Sequence, residues 1–216
     1  LLLYRKSLEV LEVKDSLSMT RFFYYFAYGS NLLKERIRYT YGQIKGAEFE
    51  RNGVLKNYEL DFVANSTRWH GGLATIKEKW GAEVYGCVWR IPEEFADELD
   101  LQEKGYHRLT VRIECVNSVI ECRTYQYSDS KAPSLPPSPH YKTVILAGAV
   151  ENSLPASYIL GLERIVDNGY KGRVEVDIEV IRLCKLIVEV LMTILILSIN
   201  ADITFYVTTR PNTVTG

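Results

Sequence analysis

The chain has 216 residues, 47% of them hydrophobic, with 26 basic against 27 acidic side chains. That length suits one domain with tails, and that apolar share is enough to bury a core, so disorder is excluded as the default. The balanced charge leaves no basic field that could hold a nucleic-acid backbone, and the expected partner is a small molecule.

In chain order, residues 1–20 form a tail in which leucines alternate with charges. The chain opens at Leu1 with no signal-peptide pattern. Phe22 to Tyr28 predicts an aromatic strand, and Asn31 to Arg38 predicts a helix, with Leu32, Leu33, Arg36 and Ile37 at helical spacing. Tyr58 to Val63, Gly72 to Ile76 and Glu83 to Ile91 predict three strands, separated by Asn, Gly and Lys clusters. Pro92 ends the last, and Glu93 to Asp100 predicts a short acidic helix whose first acids complement the helix dipole. Leu109 to Val116 and Val119 to Tyr127 predict a hairpin through Asn117-Ser118. The next stretch, Ser128 to Pro139, holds four of the seven prolines and predicts irregular chain. Tyr141 to Val150 and Ala156 to Ile165 predict helices, so strands come mainly first and helices mainly last, an α+β order. The domain is expected over residues 21–183, with 184–216 an atypical aliphatic tail. Within that tail Leu186 to Ile199 is nearly all aliphatic, but 14 residues including Glu189 fall short of the roughly 20 that a bilayer core requires, so no membrane span is expected.

Few residues carry a chemical signal of their own. Cys87, Cys115, Cys122 and Cys184 lack both zinc-site spacing and the density of a disulfide scaffold, which suits a reducing cytoplasm. His70, His107 and His140 have no spacing for a metal or a triad, and no Gly-x-Ser-x-Gly elbow is present. Gly29-Ser30-Asn31, where a strand runs into a helix, has two readings: a helix cap, or a cradle of main-chain N–H groups for an anion. Tyr25, Phe26 and Tyr28 suit a core as well as a ligand site. Glu103 ends a helix just before Gly105, yet Glu93, Glu94 and Glu98 are the same residue type close by.

Seven segments recur in one order: YFAYGSNLL from Tyr25, W-H-G-G-x-A-T-I as Trp69 to Ile76, E-V-x-G-x-V-W as Glu83 to Trp89, L-D-x-Q-E as Leu99 to Glu103, P-P-S-P-x-Y-K as Pro136 to Lys142, G-A-x-E-N as Gly148 to Asn152, and YKGRVEVDIE from Tyr170. On these the chain resembles the γ-glutamylcyclotransferase family over residues 23 to 182. The resemblance implies a small mixed β-barrel with surrounding helices, homodimers, and conversion of γ-glutamyl amino acids to 5-oxoproline plus the free amino acid. No cofactor is implied, because the substrate's own α-amine attacks its γ-carbonyl. The match implies that Glu103 is the catalytic acid/base and that Tyr25, Phe26, Ala27, Tyr28, Gly29, Ser30, Asn31 and Tyr141 bind substrate. The family commonly has glycine directly after the glutamate, whereas here Lys104 precedes Gly105. Two other readings stay open: a sister cyclotransferase acting on γ-glutamylamines or glutathione, and a non-catalytic ligand-binding member.

Overall fold

A computed structural model describes residues 21–39, 44, 46–174 and positions 184, 186, 188, 190, 193, 194 and 197. The expectations for residues 1–20 and for most of the aliphatic tail lie outside the described residues. Five strands, β1 (Phe22–Ala27), β2 (Glu48–Ser66), β3 (Gly71–Pro92), β4 (Tyr106–Cys115) and β5 (Ser118–Tyr127), close into a barrel in the order β1-β3-β2-β4-β5. Every pairing is antiparallel except the closing one, where β1 runs parallel to β5 with Tyr25 opposite Arg123. Among the continuously described residues the α-helices are α1 (Lys34–Tyr39), α2 (Ala96–Gln102), α3 (Pro139–Glu151) and α4 (Ala156–Glu163).

The α+β mixed barrel agrees with expectation, and four local readings are corrected. The stretches expected as separate strands over Gly72 to Ile76 and Glu83 to Ile91 are one strand, and β2 starts ten residues before Tyr58, at Glu48. The charges that look like breaks are cross-strand partners, with Lys77 2.6 Å from Asp61 and Lys79 2.6 Å from Glu59. The register slips there by a bulge, Lys56 facing Glu83 and Tyr58 facing Glu78, so residues 79–82 loop out around Gly81 at φ +77°. The helix expected from Asn31 is a single 3₁₀ turn, Ser30–Leu32, before α1 begins at Lys34. The acidic helix begins as a 3₁₀ turn, Glu93–Phe95, and continues as α2 through Gln102.

Phe26, Ile76, Val88, Trp89 and Ile113 are fully buried in the core, each such apolar side chain contributing about 1.5–3 kcal/mol. α3 starts where it does because Ser138 caps it, its hydroxyl accepting from Tyr141 N–H at 3.2 Å, with Pro139 in the first position. Of the C-terminal segment, Cys184 is buried and Val188 packs against the core, whereas Leu186, Val190, Ile194 and Leu197 are exposed. No helix of the described residues is long and apolar enough to cross a membrane.

Candidate active site

A cavity of about 50 Å³ is lined by residues from five separate parts of the chain: Tyr25 with Tyr28, Gly29, Ser30 and Asn31, then Ala74 of β3, Glu103 with Tyr106, Tyr125 of β5, and Tyr141 of α3. Glu103 caps the C-terminus of α2, its N–H bonded to Asp100 O at 3.3 Å. The chain then reverses at once, Tyr106 N–H reaching Glu103 O at 3.0 Å, with Gly105 at φ +86° supplying a conformation that side-chain-bearing residues adopt at a cost. The extra Lys104 is thus absorbed in a tight turn that leaves the glutamate facing inward.

Although Glu103 as a residue is partly exposed, its carboxyl sits deep against Tyr25 and Asn31. Asn31 Nδ2 donates to Tyr25 Oη at 3.2 Å and approaches Glu103 Oε1 at 3.5 Å, so the asparagine is not a helix cap. Loss of water around the carboxyl raises its pKa to about 7; the Arg36 charge and the Tyr25 hydroxyl oppose this, and Asp100 adds to it. Burial also pushes the Tyr25, Tyr28 and Tyr141 hydroxyls upward, so they stay neutral donors. Two tyrosines are tethered to one residue of β3: Ala74 N–H donates to Tyr141 Oη at 3.3 Å, and Tyr106 Oη donates to Ala74 O at 2.8 Å.

The expected residues Tyr25, Tyr28, Gly29, Ser30, Asn31, Glu103 and Tyr141 therefore meet in one cavity. Phe26 and Ala27 do not line it. They belong to the β1–β3 ladder opposite Val88 and Cys87 and are wholly buried in the core. Asp100 supports from outside, accepting the Tyr125 hydroxyl and lying 3.6 Å from both Arg108 and Arg123. Tyr106 and Tyr125 line the cavity without having been singled out; the signal for them was the tyrosine excess, 15 against seven phenylalanines. A roomier cavity of about 370 Å³ along β3 and β5 is lined by the exposed Glu78, His107 and Asp129 and by the half-buried Lys77 and Tyr127. Among the described residues no set of three His, Cys, Asp or Glu side chains could hold a metal ion.

The recurring motifs brace this cavity. Asn152 Nδ2 donates to Leu32 O at 2.8 Å and Gly148 O at 2.7 Å, tying the end of α3 to the 3₁₀ turn. Gly72 N–H donates to Pro136 O at 3.0 Å, so the W-H-G-G and P-P-S-P segments dock on each other and set Trp69 4.9 Å from the Tyr141 ring.

Known proteins resemble this chain over most of its length. The chain is 44% identical over 166 residues to a γ-glutamylcyclotransferase of Bos taurus, a match covering 73% of this chain and 86% of that one. It belongs to the γ-glutamylcyclotransferase family. The Homo sapiens γ-glutamylcyclotransferase is 40% identical over the same shares of both chains. A model of the AIG2-like family matches residues 83–162. Among solved structures, a γ-glutamyl cyclotransferase superposes with a TM-score of 0.70 at 38% identity, covering 76% of this chain and 99% of the other.

Proposed function

We propose that the protein converts γ-glutamyl amino acids to 5-oxoproline and the free amino acid, with Glu103 as the single acid/base. The observation that carries this is the meeting of the Glu103 carboxyl with the Gly29–Asn31 turn, 72 residues away in sequence, in one polar cavity. The substrate's α-amine is the nucleophile and its γ-carbonyl the electrophile, so the protein has to fold one molecule into a near-attack conformer. Main-chain N–H groups of the Gly29–Asn31 turn, which lack intrahelical partners, hold the substrate carboxylate or the developing oxyanion. Tyr25, Tyr28 and Tyr141 add neutral hydroxyls. Glu103 accepts a proton of the α-ammonium, the amine closes on the γ-carbonyl, Glu103 returns that proton to the departing nitrogen, and the regenerated carboxylate then takes the second proton from the ring nitrogen as it becomes the lactam N–H and passes it to the released amine. A pKa of about 7 suits both halves, since neither taking nor giving the proton is strongly uphill at neutral pH.

Four free thiols at Cys87, Cys115, Cys122 and Cys184 support residence in the reducing cytoplasm. The homodimer implied by resemblance is to be decided by light scattering. Incubation of the protein with γ-glutamyl-alanine, γ-glutamyl-lysine and glutathione, following 5-oxoproline, tests the activity. Release from γ-glutamyl-alanine is expected; no release from any of the three would mark a non-catalytic member.

A further inference from the structure

The helix that carries Glu103 at its end has little of its own to hold it in place. α2 is seven residues long; among the described residues its N-terminus has no side-chain cap, and Leu99 is its only buried residue. A helix of that length is marginal in water unless tertiary contacts fix it. Asp97, Glu98 and Leu101 face solvent. What ties the last turn to the barrel is Asp100, one turn before Glu103. Its carboxylate is bracketed by the β4–β5 hairpin: Oδ1 accepts the Tyr125 hydroxyl and lies 3.6 Å from Arg123 Nη1, while Oδ2 lies 3.6 Å from Arg108 Nη1. Ion pairs at a carboxylate whose side chain is 41% exposed count for little by themselves. The tyrosine contact is different. Tyr125 is buried, so its hydroxyl is costly to leave without an acceptor, and a charged acceptor makes the stronger kind of hydrogen bond.

The far end of that contact is anchored in the seam where β1 meets β5. Tyr125 O accepts the Tyr28 hydroxyl, and the Tyr125 ring packs edge-on against Tyr25 at 5.9 Å. Arg123 is held as well, its guanidinium 4.0 Å from the Phe23 ring centroid. Glu103 follows Asp100 directly, through its N–H bonded to Asp100 O at 3.3 Å. Asp100 itself does not line the cavity. We propose that Asp100, acting through Tyr125, is the positioning residue that keeps the Glu103 carboxyl inside the cavity, a role that rests on the reaction proposed above. Without it the end of α2 swings outward, water reaches the carboxyl, and one neighbouring negative charge is lost. Both changes ease ionisation of Glu103. Tyr25, Tyr28, Tyr106 and Tyr141, with Arg36 of α1, Arg68 of the β2–β3 turn and Lys104, also face Glu103, and all of them stay in place in the variants below.

The test measures kcat, KM and the pH profile of 5-oxoproline release from γ-glutamyl-alanine in the wild type, Asp100→Ala, Asp100→Asn, Tyr125→Phe and the Asp100→Ala/Tyr125→Phe double variant. Asp100→Ala should lower kcat by about tenfold or more with KM within about threefold, the scale of a displaced reacting group. The acid limb of its kcat/KM profile should move to lower pH. Tyr125→Phe should change both quantities in the same direction, the double variant should be no worse than Asp100→Ala alone, and Asp100→Asn, which keeps an acceptor for the hydroxyl, should retain more kcat. A smaller amount of folded protein scales the plateau and leaves the limb where it is, so a loss of kcat with an unmoved limb would overturn the proposal. Losses that multiply in the double variant would overturn it too, as would wild-type kcat in Asp100→Ala. Should Asp100→Ala fail to fold, Asp100→Asn and Tyr125→Phe, which keep shape, decide on the limb alone. No 5-oxoproline from the wild type would instead remove the parent reading, and this one with it.

Discussion

A carboxyl stripped of water holds its proton more tightly, and at Glu103 this has two consequences of opposite value. For catalysis, the free protein must present the carboxylate, so kcat/KM for γ-glutamyl-alanine should climb about tenfold per pH unit below about 7 and level off above it. A profile flat from pH 5.5 to 8 would show that no such group controls the reaction. For stability the sign runs the other way. The folded pKa is raised from 4.5 to about 7, so stability is full below 4.5, declines as pH rises through that window, and has lost about 3 kcal/mol above it. Glu103→Gln, which cannot ionise, should therefore resist urea better than wild type at pH 8 and equally at pH 4, measured by denaturation at both. The sequence alone could not separate Glu103 from Glu93, Glu94 and Glu98, because all four are the same residue near one short helix. Only the resemblance chose it; in the structure the other three are exposed, while Glu103 lines the cavity. Arg36 escaped notice because its spacing reads simply as one more helical position.

At the scale of elements, the motifs that carry the resemblance act mostly as braces. Gly148 of α3 sits so close to the 3₁₀ turn that a Cβ there would lie 2.5 Å from Leu33 N and 2.6 Å from Leu32 Cβ. Gly148→Ala should thus push α3 away from the turn, cost about 1–3 kcal/mol, and raise KM by displacing Asn31. Asn152→Ala removes a donor shared by two carbonyls and should cost about 1–3 kcal/mol, read by thermal denaturation. A melting temperature unchanged in both variants would separate these motifs from the site. The hairpin, the proline-rich segment and both later helices were legible because turn and cap chemistry is local: Ser138 with Pro139 announces α3 by itself. The long β2–β3 pair was not, because lysines that read as a break are pairing with acids on the other strand, a relation that exists only once the register is set.

For the whole molecule, the barrel closes by joining its first strand to its last. Thr124 Oγ1 donates to Phe26 O at 2.9 Å across that seam, and Tyr28 Oη donates to Tyr125 O. Thr124→Val keeps the volume and removes the donor, leaving a buried carbonyl unsatisfied at about 1–3 kcal/mol, measurable as a lower urea midpoint. Closure brings together residues about one hundred positions apart, so refolding followed by the fluorescence of the buried Trp69 and Trp89 should take milliseconds to seconds, not microseconds. The α+β order was readable from pattern, whereas the pattern predicts six strands where the barrel has five, and the closure was implied only by family likeness, since a parallel contact between Tyr25 and Arg123 leaves no local trace.

The account stands on Glu103 moving the proton while the turn at Gly29–Asn31 holds the substrate. Its most direct test is the rate of 5-oxoproline release from γ-glutamyl-alanine by Glu103→Gln at pH 8, with KM measured alongside. The account predicts a kcat lower by at least about a hundredfold with KM within a few-fold of wild type. A kcat within about threefold of wild type would contradict it, because an amide at that position cannot accept the proton.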